Sequence, residues 1–423
     1  MSEEGSQIEA EGRCAEMKIA HVGDLHWGLG YPGPSPSSRL DDISNVAHFM
    51  ADRIIEEQCG LVLVAGDMFK DARVFLDRAS VEIAAAVRWL RRFSEANIPV
   101  VVISGTPSHD AVAAYELIKE MRIPQVEVFT TPGVFEYGCS IACLPGINRS
   151  AMASKDEFAK LPAHELHQLM TERVTQAVRG LEAECVNDFK ILLSHITCVG
   201  ADKGFEDLLQ QQEPVLTRDA IEGSGFNMVC LGHIHKPQVI KGLSVPTYYC
   251  GSPERLSFNE ELHTPGFYIH NLGTGRGSEW IINPPYFVQT PARNYYTMDV
   301  TPGPDAEEGT DIAACLNDFR NHFFSNDFIK NAIVRVHYEC TDTQAKLINQ
   351  AQITRDLYDL GAYYVQSIEA KVRRETRARA AEADAGMTPA EALAMWGRVN
   401  EVPEEELSEL AKRAEILEQE VGM

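Results

Sequence analysis

Short apolar, β-rich runs alternate with amphipathic stretches through the first third of this chain, and each run ends in glycine followed by polar residues. The runs read KIAHVGD, LVLVAGD and PVVVISG, and the stretches between them predict helices over residues 38–58 and 76–96. This βαβαβ order predicts a central, partly parallel sheet. Because ligands of open α/β sheets bind beyond the carboxyl ends of the strands, we expect Asp24, Asp67 and His109 to converge there.

The second half of the chain repeats this arrangement. After a long helix predicted over residues 156–184, three more apolar runs end in polar motifs, namely DFKILLSH, FNMVCLGHIH and TYYCGSPER. Two half-sites that face one another across a sandwich of sheets would explain this layout. We therefore predict one large α/β domain over residues 18–288.

The polar motifs stop after this domain, and the pattern changes to a compact βαβαβ unit. Its predicted strands are YYTMDV, NAIVRVHYEC and AYYVQSIEA, and its predicted helices cover residues 306–322 and 343–360. The sequence thus predicts a second, smaller domain over residues 289–368.

The two ends of the chain differ from these domains. From Lys371 onward the sequence is highly charged, with apolar residues at helical spacing and breaks at residues 386–389 and near Pro403, which predicts a helical tail over residues 369–423. Such helices need a surface to lie on, either another protein or their own chain. Residues 1–17 read as a short, acidic, disordered leader without the basic start and apolar stretch of a secretory signal.

Composition limits the classes of function. The formal net charge of −24 argues against a protein that coats nucleic acid over a wide surface, because phosphate binding needs clustered Lys and Arg. The ten cysteines include no C-x-x-C pair, which favours reduced thiols and a cytoplasmic location. The sequence has no run of about 18 apolar residues, so a membrane-spanning helix is not expected.

Five short polar elements follow predicted strands and together indicate a metal centre. They are Asp24-Leu25-His26, Gly66-Asp67, Ser108-His109-Asp110, His195 and His233-Ile234-His235. The i, i+2 spacing of Asp24 and His26, and of His233 and His235, puts each pair on one face of a strand. A core would bury such imidazoles and carboxylates side by side only at high cost, whereas these residue types suit Mn²⁺, Fe²⁺ or Zn²⁺.

Other positions are given structural interpretations. A lone histidine is more often a satisfied structural residue than a ligand, so we predict surface or helical positions for a further set: His48, His164, His167, His263 and His270. The apolar residues within 81–90 and 112–117 recur at helical spacing and are expected to face the core.

The segments HVGDLHWG, LVLVAGDMF, SGTPSHD, LLSHI, LGHIHKPQ and GSPERLSF together resemble the calcineurin-like metallophosphoesterases, and within them the SbcD-type DNA repair nucleases. The catalytic resemblance covers residues 18–270. It implies a metallophosphoesterase β-sandwich of the α/β class flanked by helices, a small βαβαβ capping domain that helps to bind DNA, and a C-terminal helical extension. It also implies a metal-dependent hydrolase that acts as exonuclease and endonuclease in DNA repair and recombination.

The resemblance implies two divalent metal ions, with manganese as the expected ion. The implied ligands are Asp24, His26 and His235 for one ion, His195 and His233 for the other, and Asp67 as a bridge between the two. Ser108 falls where the family carries a metal-ligating Asn, and the loop before it has two extra residues. A hydroxyl is a poorer ligand than an amide oxygen, so the second ion would bind more weakly or take a water at that position.

The resemblance also implies catalytic and substrate-binding residues. His109 would face the scissile phosphate and protonate or steady the leaving oxygen, and Asp110 would orient His109 through a ring nitrogen. Lys70, where many relatives carry His, and Arg255 are the expected substrate contacts. A purely structural role in its loop explains Arg255 equally well.

The implied partners are DNA, an SbcC-type ATPase that docks on the C-terminal helices, and a second copy of the chain that packs on the helices of residues 81–90 and 112–117. Two alternative functions stay open. A small-molecule phosphodiesterase or phosphatase could use the same core, but it would need neither the βαβαβ unit nor the tail. A scaffold with weakened metal binding is the other alternative, and the missing Asn motivates it.

Overall fold

The computed structural model describes residues 16–35, 37–70, 72, 76–108, 110–147, 158, 161–202, 213–274, 280–300, 316, 327–373, 388–400 and 402–421. The chain divides into two compact units. The first comprises residues 1–298, 325–335 and 354–367, and the second comprises residues 299–324, 336–353 and 368–423.

A seven-stranded sheet in the first unit contains the strands predicted from the N-terminal motifs. With strands numbered in chain order, its members are β1 (Glu16–Val22), β2 (Leu61–Ala65), β3 (Val100–Ile103), β4 (Val126–Phe129), β13 (Gly266–Thr274), β14 (Trp280–Ile282) and β15 (Tyr286–Gln289). The order is β14-β13-β1-β2-β3-β4, and β15 also pairs with β13. Strands β1 to β4 are parallel, and β13 is antiparallel to β1. The predicted partly parallel sheet is confirmed.

A six-stranded sheet in the same unit contains the strands of the second half-site. Its members are β5 (Gly133–Glu136), β6 (Ser140–Leu144), β7 (Lys190–His195), β10 (Met228–Gly232), β11 (Gln238–Val239) and β12 (Thr247–Tyr249). The order is β11-β12-β10-β7-β6-β5, with β7 parallel to both of its neighbours. The short strands β8 (Thr197–Cys198) and β9 (Val215–Leu216) pair with one another.

The helices of this unit lie close to their predicted bounds. They are α1 (Ser38–Glu56), α2 (Leu76–Glu95), α3 (Val112–Glu120), α4 (Ala163–Glu184), α5 (Arg218–Glu222) and a 3-10 helix (Phe258–Glu260). Helix α4 ends at its predicted residue, but its predicted start near residue 156 is wrong, because Pro162 is extended and the helix begins at Ala163.

Three clusters of buried apolar side chains hold the sheets and helices together, and one of them lies between the two sheets. Side chains such as Leu63 of β2 and Leu193 of β7 fill the space between the sheets. Helices α1 and α2 cover the outer face of the first sheet, where Trp27 and Trp89 are buried, and α4 covers the outer face of the second. Strands buried on both faces read as continuous apolar runs, and the runs LVLVA and VVVI have this pattern. The predicted sandwich flanked by helices is therefore confirmed.

Three expectations for side chains of this unit were wrong. His270, predicted at the surface or in a helix, is fully buried in β13. Side chains of β13 point alternately to the two faces of the sheet, and the side chain of His270 points into the space between the two sheets. Val81 of α2 and Leu117 of α3, expected in the core, are 53% and 41% exposed, because each lies on the edge of its helix away from the sheet.

The βαβαβ pattern predicted after the sandwich forms a three-stranded sheet. Its strands are β16 (Tyr295–Val300), β17 (Ile333–Thr341) and β18 (Tyr364–Arg373), in the order β16-β17-β18. The single helix predicted over residues 343–360 is instead two helices, α6 (Asp342–Ala345) and α7 (Gln350–Asp359). The helix predicted over residues 306–322 lies outside the described residues, apart from Leu316.

The tail contains helices α8 (Pro389–Val399) and α9 (Glu404–Val421). Thr388 and Glu391 form a capping box at the start of α8, and α8 packs on α9 at Gly397, where a Cβ would overlap Leu407. The tail was wrongly predicted to be helical from Lys371, because β18 continues to Arg373. A cross-strand ion pair of 2.7 Å between Lys371 and Glu339 of β17 supports this extension of the strand. No helix among the described residues is long and apolar enough to cross a membrane.

A buried network of charges joins α1 to the loop between β12 and β13 and to the segment that follows β15. Arg39 is fully buried, and its guanidinium lies 2.6 Å from Asp42 and 3.3 Å from Glu254. Arg293 donates to the same Asp42 at 2.8 Å and stacks on the ring of Tyr363, with the guanidinium carbon 3.6 Å from the ring centroid. Each buried charge therefore has a partner of opposite sign.

We predict that Arg39→Ala lowers the free energy of unfolding by about 3–5 kcal/mol, because the change removes the cation paired with the buried carboxylate of Glu254 and one of the two cations paired with Asp42. Arg53→Ala on the same helix is the matched control. Arg53 pairs with Glu56 and Glu57 but is 39% exposed, so its loss should cost less than about 1 kcal/mol. Urea unfolding followed by circular dichroism measures both, and equal effects of the two changes would contradict the importance of the network.

Candidate metal centre

Two pairs of adjacent parallel strands bring the predicted ligands together. Asp24 and Asp67 follow β1 and β2 in the first sheet, while His195 ends β7 and His233 follows β10 in the second. All four side chains are buried. The expectation that the strand ends of the two halves face one another is met for these residues.

The backbone at these positions is in the left-handed region. The φ angles are 52° for Asp24, 51° for His26, 45° for Asp67 and 94° for His233. Non-glycine residues adopt this conformation at a cost of roughly 1–3 kcal/mol each, and such positions cluster at functional sites. The surrounding fold therefore imposes the orientation of these side chains.

Glycines leave room for close approach at the same place. A Cβ on Gly66 would lie 2.5 Å from Nδ1 of His195, and a Cβ on Gly105 would overlap the carboxylate of Asp67. The glycines that end the apolar runs in the sequence are thus required by the packing of the candidate ligands.

The carboxylate of Asp67 lies between two sets of imidazoles. Its Oδ1 is 3.3 Å from Nε2 of His195, and its Oδ2 is 3.8 Å from Nε2 of His26. Nε2 of His26 is in turn 3.2 Å from Nε2 of His235, which lies 3.9 Å from Oδ1 of Asp24. The two oxygens of Asp67 therefore face different histidines, which is the arrangement that a bridging carboxylate requires.

Two groups of donor atoms are compact enough to hold an ion. Asp24, His26 and His235 form one group, and Asp24, Asp67 and His195 form the other, with all donor atoms of a group within 4.8 Å of one another. Carboxylate oxygens and imidazole nitrogens suit divalent first-row metals. The residues present thus fit a site for two divalent ions, but Asp24 is a member of both groups and the predicted ligand His233 is a member of neither.

His233 is near these groups without being a member of either. Its ring centroid lies 5.1 Å from that of His195, and its backbone N–H donates to Asp24 at 3.1 Å. Its Nε2 lies 2.9 Å from a carboxylate oxygen of Glu213. The structure thus places His233 beside the predicted second metal position, with one ring nitrogen engaged by a carboxylate.

Nδ1 of His195 and Nδ1 of His235 also have acceptors. Nδ1 of His195 lies 2.7 Å from the carbonyl oxygen of Ala65, and Nδ1 of His235 lies 2.8 Å from Oε1 of Glu260. Such contacts fix the tautomer and orientation of a metal-binding imidazole. Sequence reasoning missed Glu213 and Glu260, because they lie 20 and 25 residues from their histidines and no local motif links them.

Burial and charge perturb the protonation of the site. Burial raises the pKa of Asp24 to about 6, although the neighbouring histidines act in the opposite direction. Burial is the largest single influence on His195 and disfavours its charged form, but the charge and hydrogen bond of Asp67, the charge of Asp24 and the carbonyl of Ala65 together outweigh it and raise the pKa of His195 to about 9. The site therefore favours a positive charge close to Asp67, and a divalent cation supplies more of it than a proton.

Asp110 holds the third motif against the second. Its carboxylate accepts hydrogen bonds from the backbone N–H of Gly105 at 2.7 Å and of Phe69 at 3.1 Å, and from the hydroxyl of Tyr115 at 2.6 Å. Tyr115 also accepts from the N–H of Met68 at 2.8 Å. Burial raises the pKa of Asp110 to about 7. Tyr115 is thus a further residue of the site that the sequence motifs did not reveal.

Four predicted residues remain: His109, Ser108, Lys70 and Arg255. His109 lies outside the described residues, and the neighbouring Ser108 is exposed. Lys70 is partly buried beside Gly28, with its backbone N–H bonded to Trp27. The guanidinium of Arg255 donates to the backbone carbonyls of Arg293 and His263.

Comparison with known proteins supports one family. A sequence model described as calcineurin-like phosphoesterase matches residues 17–237. The chain is similar to the DNA double-strand break repair protein Mre11 of Aeropyrum pernix, with 25% identity over 302 residues, 71% of this chain and 66% of that protein. It is also similar to one component of the nuclease SbcCD of Bacillus subtilis, with 24% identity over 62% of this chain and 68% of that component.

These similarities cover only part of each relative. The chain spans just under two thirds of the Aeropyrum protein, at 66%. Among solved structures, a dimetal phosphatase from Danio rerio aligns with 8% identity and a TM-score of 0.36, covering 64% of this chain and 98% of that one. A TM-score that low adds no support to a functional assignment.

We predict that Glu260→Gln weakens the binding of manganese by about 10–100-fold, because the outer carboxylate orients His235 and raises its basicity. The neighbouring Glu261→Gln is the matched control, since Glu261 bonds to the backbone N–H of Thr297 instead. Isothermal titration calorimetry on metal-free protein measures both variants. Equal affinities for Glu260→Gln and the unchanged protein would show that the contact does not position the ligand.

Proposed function

This chain belongs to the calcineurin-like phosphoesterase family, and we propose that it is a metal-dependent nuclease that hydrolyses phosphodiester bonds in DNA. The observation that carries the phosphoesterase activity is the position of Asp67, with one oxygen toward His195 and the other toward His26. The similarity to Mre11 and to the SbcCD component supports DNA as the substrate. We propose exonuclease and endonuclease action in the repair and recombination of DNA.

We propose that the two groups of donors hold two divalent ions, with manganese as the ion. Asp24, His26 and His235 would hold the first, His195 and His233 the second, and Asp67 both. Two bound ions would supply a hydroxide near neutral pH and stabilise the attacking and leaving oxygens of the phosphate. Glu213 and Glu260 would keep the rings of His233 and His235 in place.

Asp110 acts in this proposal through the loop that it holds. Oδ1 accepts from the N–H groups of Phe69 and Ala111, and Oδ2 accepts from the N–H of Gly105 and the hydroxyl of Tyr115. These four hydrogen bonds use the acceptor sites of a carboxylate. We therefore propose that Asp110 orients His109 by fixing the backbone next to it, while His109 protonates or steadies the leaving oxygen.

The net negative charge of the chain affects how DNA would bind. A net charge of −24 repels a polyanion at long range, so binding should depend strongly on the metal ions and on local cations. Lys70 is the better local candidate, because both guanidinium ends of Arg255 already donate to backbone carbonyls. Arg255 is proposed to contribute by shaping its loop.

Two protein partners are part of the proposal. The helical hairpin of α8 and α9 is proposed to dock on an SbcC-type ATPase; its charged sequence and the exposed Ile416, at 56%, are consistent with a surface that a partner covers. The exposed apolar residues Val81 on α2, and Leu117 and Met121 at the end of α3, support a homodimer through these two helices.

The alternatives make different use of the same core. A small-molecule phosphodiesterase needs the metal centre but neither partner surface. A scaffold would retain the fold and the ATPase contact with little hydrolysis, and Ser108 at the position of the family's Asn is the observation in its favour.

We predict that the purified protein cleaves linear and hairpin DNA in the presence of manganese, and that Asp67→Asn reduces cleavage to background because one carboxylate serves both ions. Asp41→Asn is the matched control, since Asp41 is an exposed residue of α1. A phosphodiester dye assayed beside the DNA separates the candidates. Cleavage of the dye alone would favour the small-molecule enzyme, and cleavage of neither substrate with the ATPase present would favour the scaffold.

We predict that the double change Val81→Lys and Leu117→Lys produces a monomer, because two charges in an apolar interface are costly to bury. Val186→Lys is the control, since Val186 is 79% exposed and lies on neither helix. Sedimentation velocity of the unchanged protein and the two variants measures the oligomeric state of each. A monomeric unchanged protein would contradict the proposed dimer.

A further inference from the structure

A second cluster of metal-binding residue types lies apart from the candidate catalytic ligands. It consists of His21, Cys230 and His270, which are fully buried and have donor atoms within 4.8 Å of one another. His21 and His270 belong to β1 and β13 of the seven-stranded sheet, and Cys230 belongs to β10 of the six-stranded sheet. The cluster therefore joins the two sheets across the apolar space between them.

The two imidazoles approach one another at a distance that suits a shared ion. Nε2 of His270 lies 3.5 Å from Nδ1 of His21. This is longer than the roughly 2.7–3.2 Å that is usual for hydrogen bonds from N–H donors to oxygen. Two nitrogens bound to one tetrahedral ion through bonds of about 2.0–2.1 Å are separated by about 3.3–3.4 Å. The observed distance is closer to the second value.

The remaining ring nitrogens of the pair make no well-formed hydrogen bond within the described part of the protein. Nε2 of His21 and Nδ1 of His270 are buried and have no hydrogen-bond partner among the described residues. The surroundings are apolar or aromatic; the ring of Tyr248 lies 4.8 Å from that of His270, centroid to centroid. A buried polar group without a partner costs about 1–3 kcal/mol. Two histidines are thus an energetically costly way to fill this space. An ion held between Nε2 of His270 and Nδ1 of His21 would offset this cost through the nitrogens that face one another, while the two outer nitrogens would stay as they are.

The protonation of the two imidazoles favours metal binding, whereas that of the buried thiol opposes it until a cation is bound. Burial, together with the neighbouring His270, lowers the pKa of His21 well below its ordinary value, although a contact with the backbone of Leu231 acts in the opposite direction. Burial lowers the pKa of His270 to about 3. Both rings are therefore neutral at physiological pH, which is the form that binds metals. Burial raises the pKa of the Cys230 thiol above its usual range, so its proton would leave for solvent only when a cation replaces it.

We propose that His21, Cys230 and His270 bind a structural transition-metal ion of the zinc class. One thiolate and two imidazoles form a softer ligand set than the carboxylates and imidazoles of the candidate catalytic centre, and thiolate ligands select zinc-like over manganese-like ions. The ion would cross-link the two sheets in the middle of the sandwich.

The position of the cluster connects this ion to the catalytic centre. His21 lies on β1 three residues before Asp24, and Cys230 lies on β10 three residues before His233. The cross-link would therefore fix the relative position of the two strands that lead to candidate ligands from opposite sheets. This structural role does not depend on the proposed nuclease function.

Cobalt substitution tests the proposal, because a cobalt–thiolate bond gives a charge-transfer band in the near ultraviolet. The candidate catalytic ligands include no cysteine, so cobalt bound there gives no such band. Because the cluster is buried, the full chain should be produced in cobalt-supplemented medium and then dialysed against a chelator to remove accessible ions. The expected result is one retained cobalt ion per chain and a thiolate band.

Two variants and a control assign the band. His270→Gln leaves every cysteine in place and should abolish both the band and the retained ion. Cys230→Ser should do the same, whereas Cys143→Ser, a change at another buried cysteine between the sheets, should preserve them. Absence of the band in the unchanged protein, or its persistence in His270→Gln, would overturn the proposal and leave His21 and His270 as a neutral pair in the core.

Discussion

The carboxylate of Asp67 is the point on which the architecture of the site depends. It follows β2 in the first sheet, yet its Oδ1 faces His195 of the second sheet at 3.3 Å and its Oδ2 faces His26 at 3.8 Å. The N–H of Thr106, from the loop after β3, also donates to it at 2.9 Å. One side chain thus joins three loops and two sheets, and it can do so only because Gly105 leaves space for it.

Several energetically unfavourable features of the sandwich occur together around Asp67. Buried carboxylates and imidazoles, left-handed backbone at non-glycine residues and close glycine contacts all occur at the same strand ends. Each of these is unfavourable alone, and strain of this kind persists only where the surrounding structure determines it. Here the apolar cluster between the sheets, the hydrogen bonds of Asp110 and the charge network of Arg39 hold the loops in place. A bound cation would offset the electrostatic part of the cost.

Much of this arrangement was predictable from the sequence, because it depends on local pattern. Strands buried on both faces read as apolar runs, and the polar residues that follow them must meet at the sheet edge. The residues that orient the ligands were not predictable, since Glu260, Glu213 and Tyr115 reach the site only through the fold. His270 was misjudged for a related reason: its burial depends on the pairing of β13 with β1, which no local pattern encodes. The break between α6 and α7 shows that helical spacing alone does not fix helix bounds.

The most direct test of the account is the number and separation of metal ions around Asp67. Crystals of the full chain soaked in manganese and measured at the manganese absorption edge would show each ion by anomalous scattering. The expected result is two ions about 3.5–4 Å apart, one on each side of the Asp67 carboxylate. A single ion, or two ions that do not share Asp67, would contradict it.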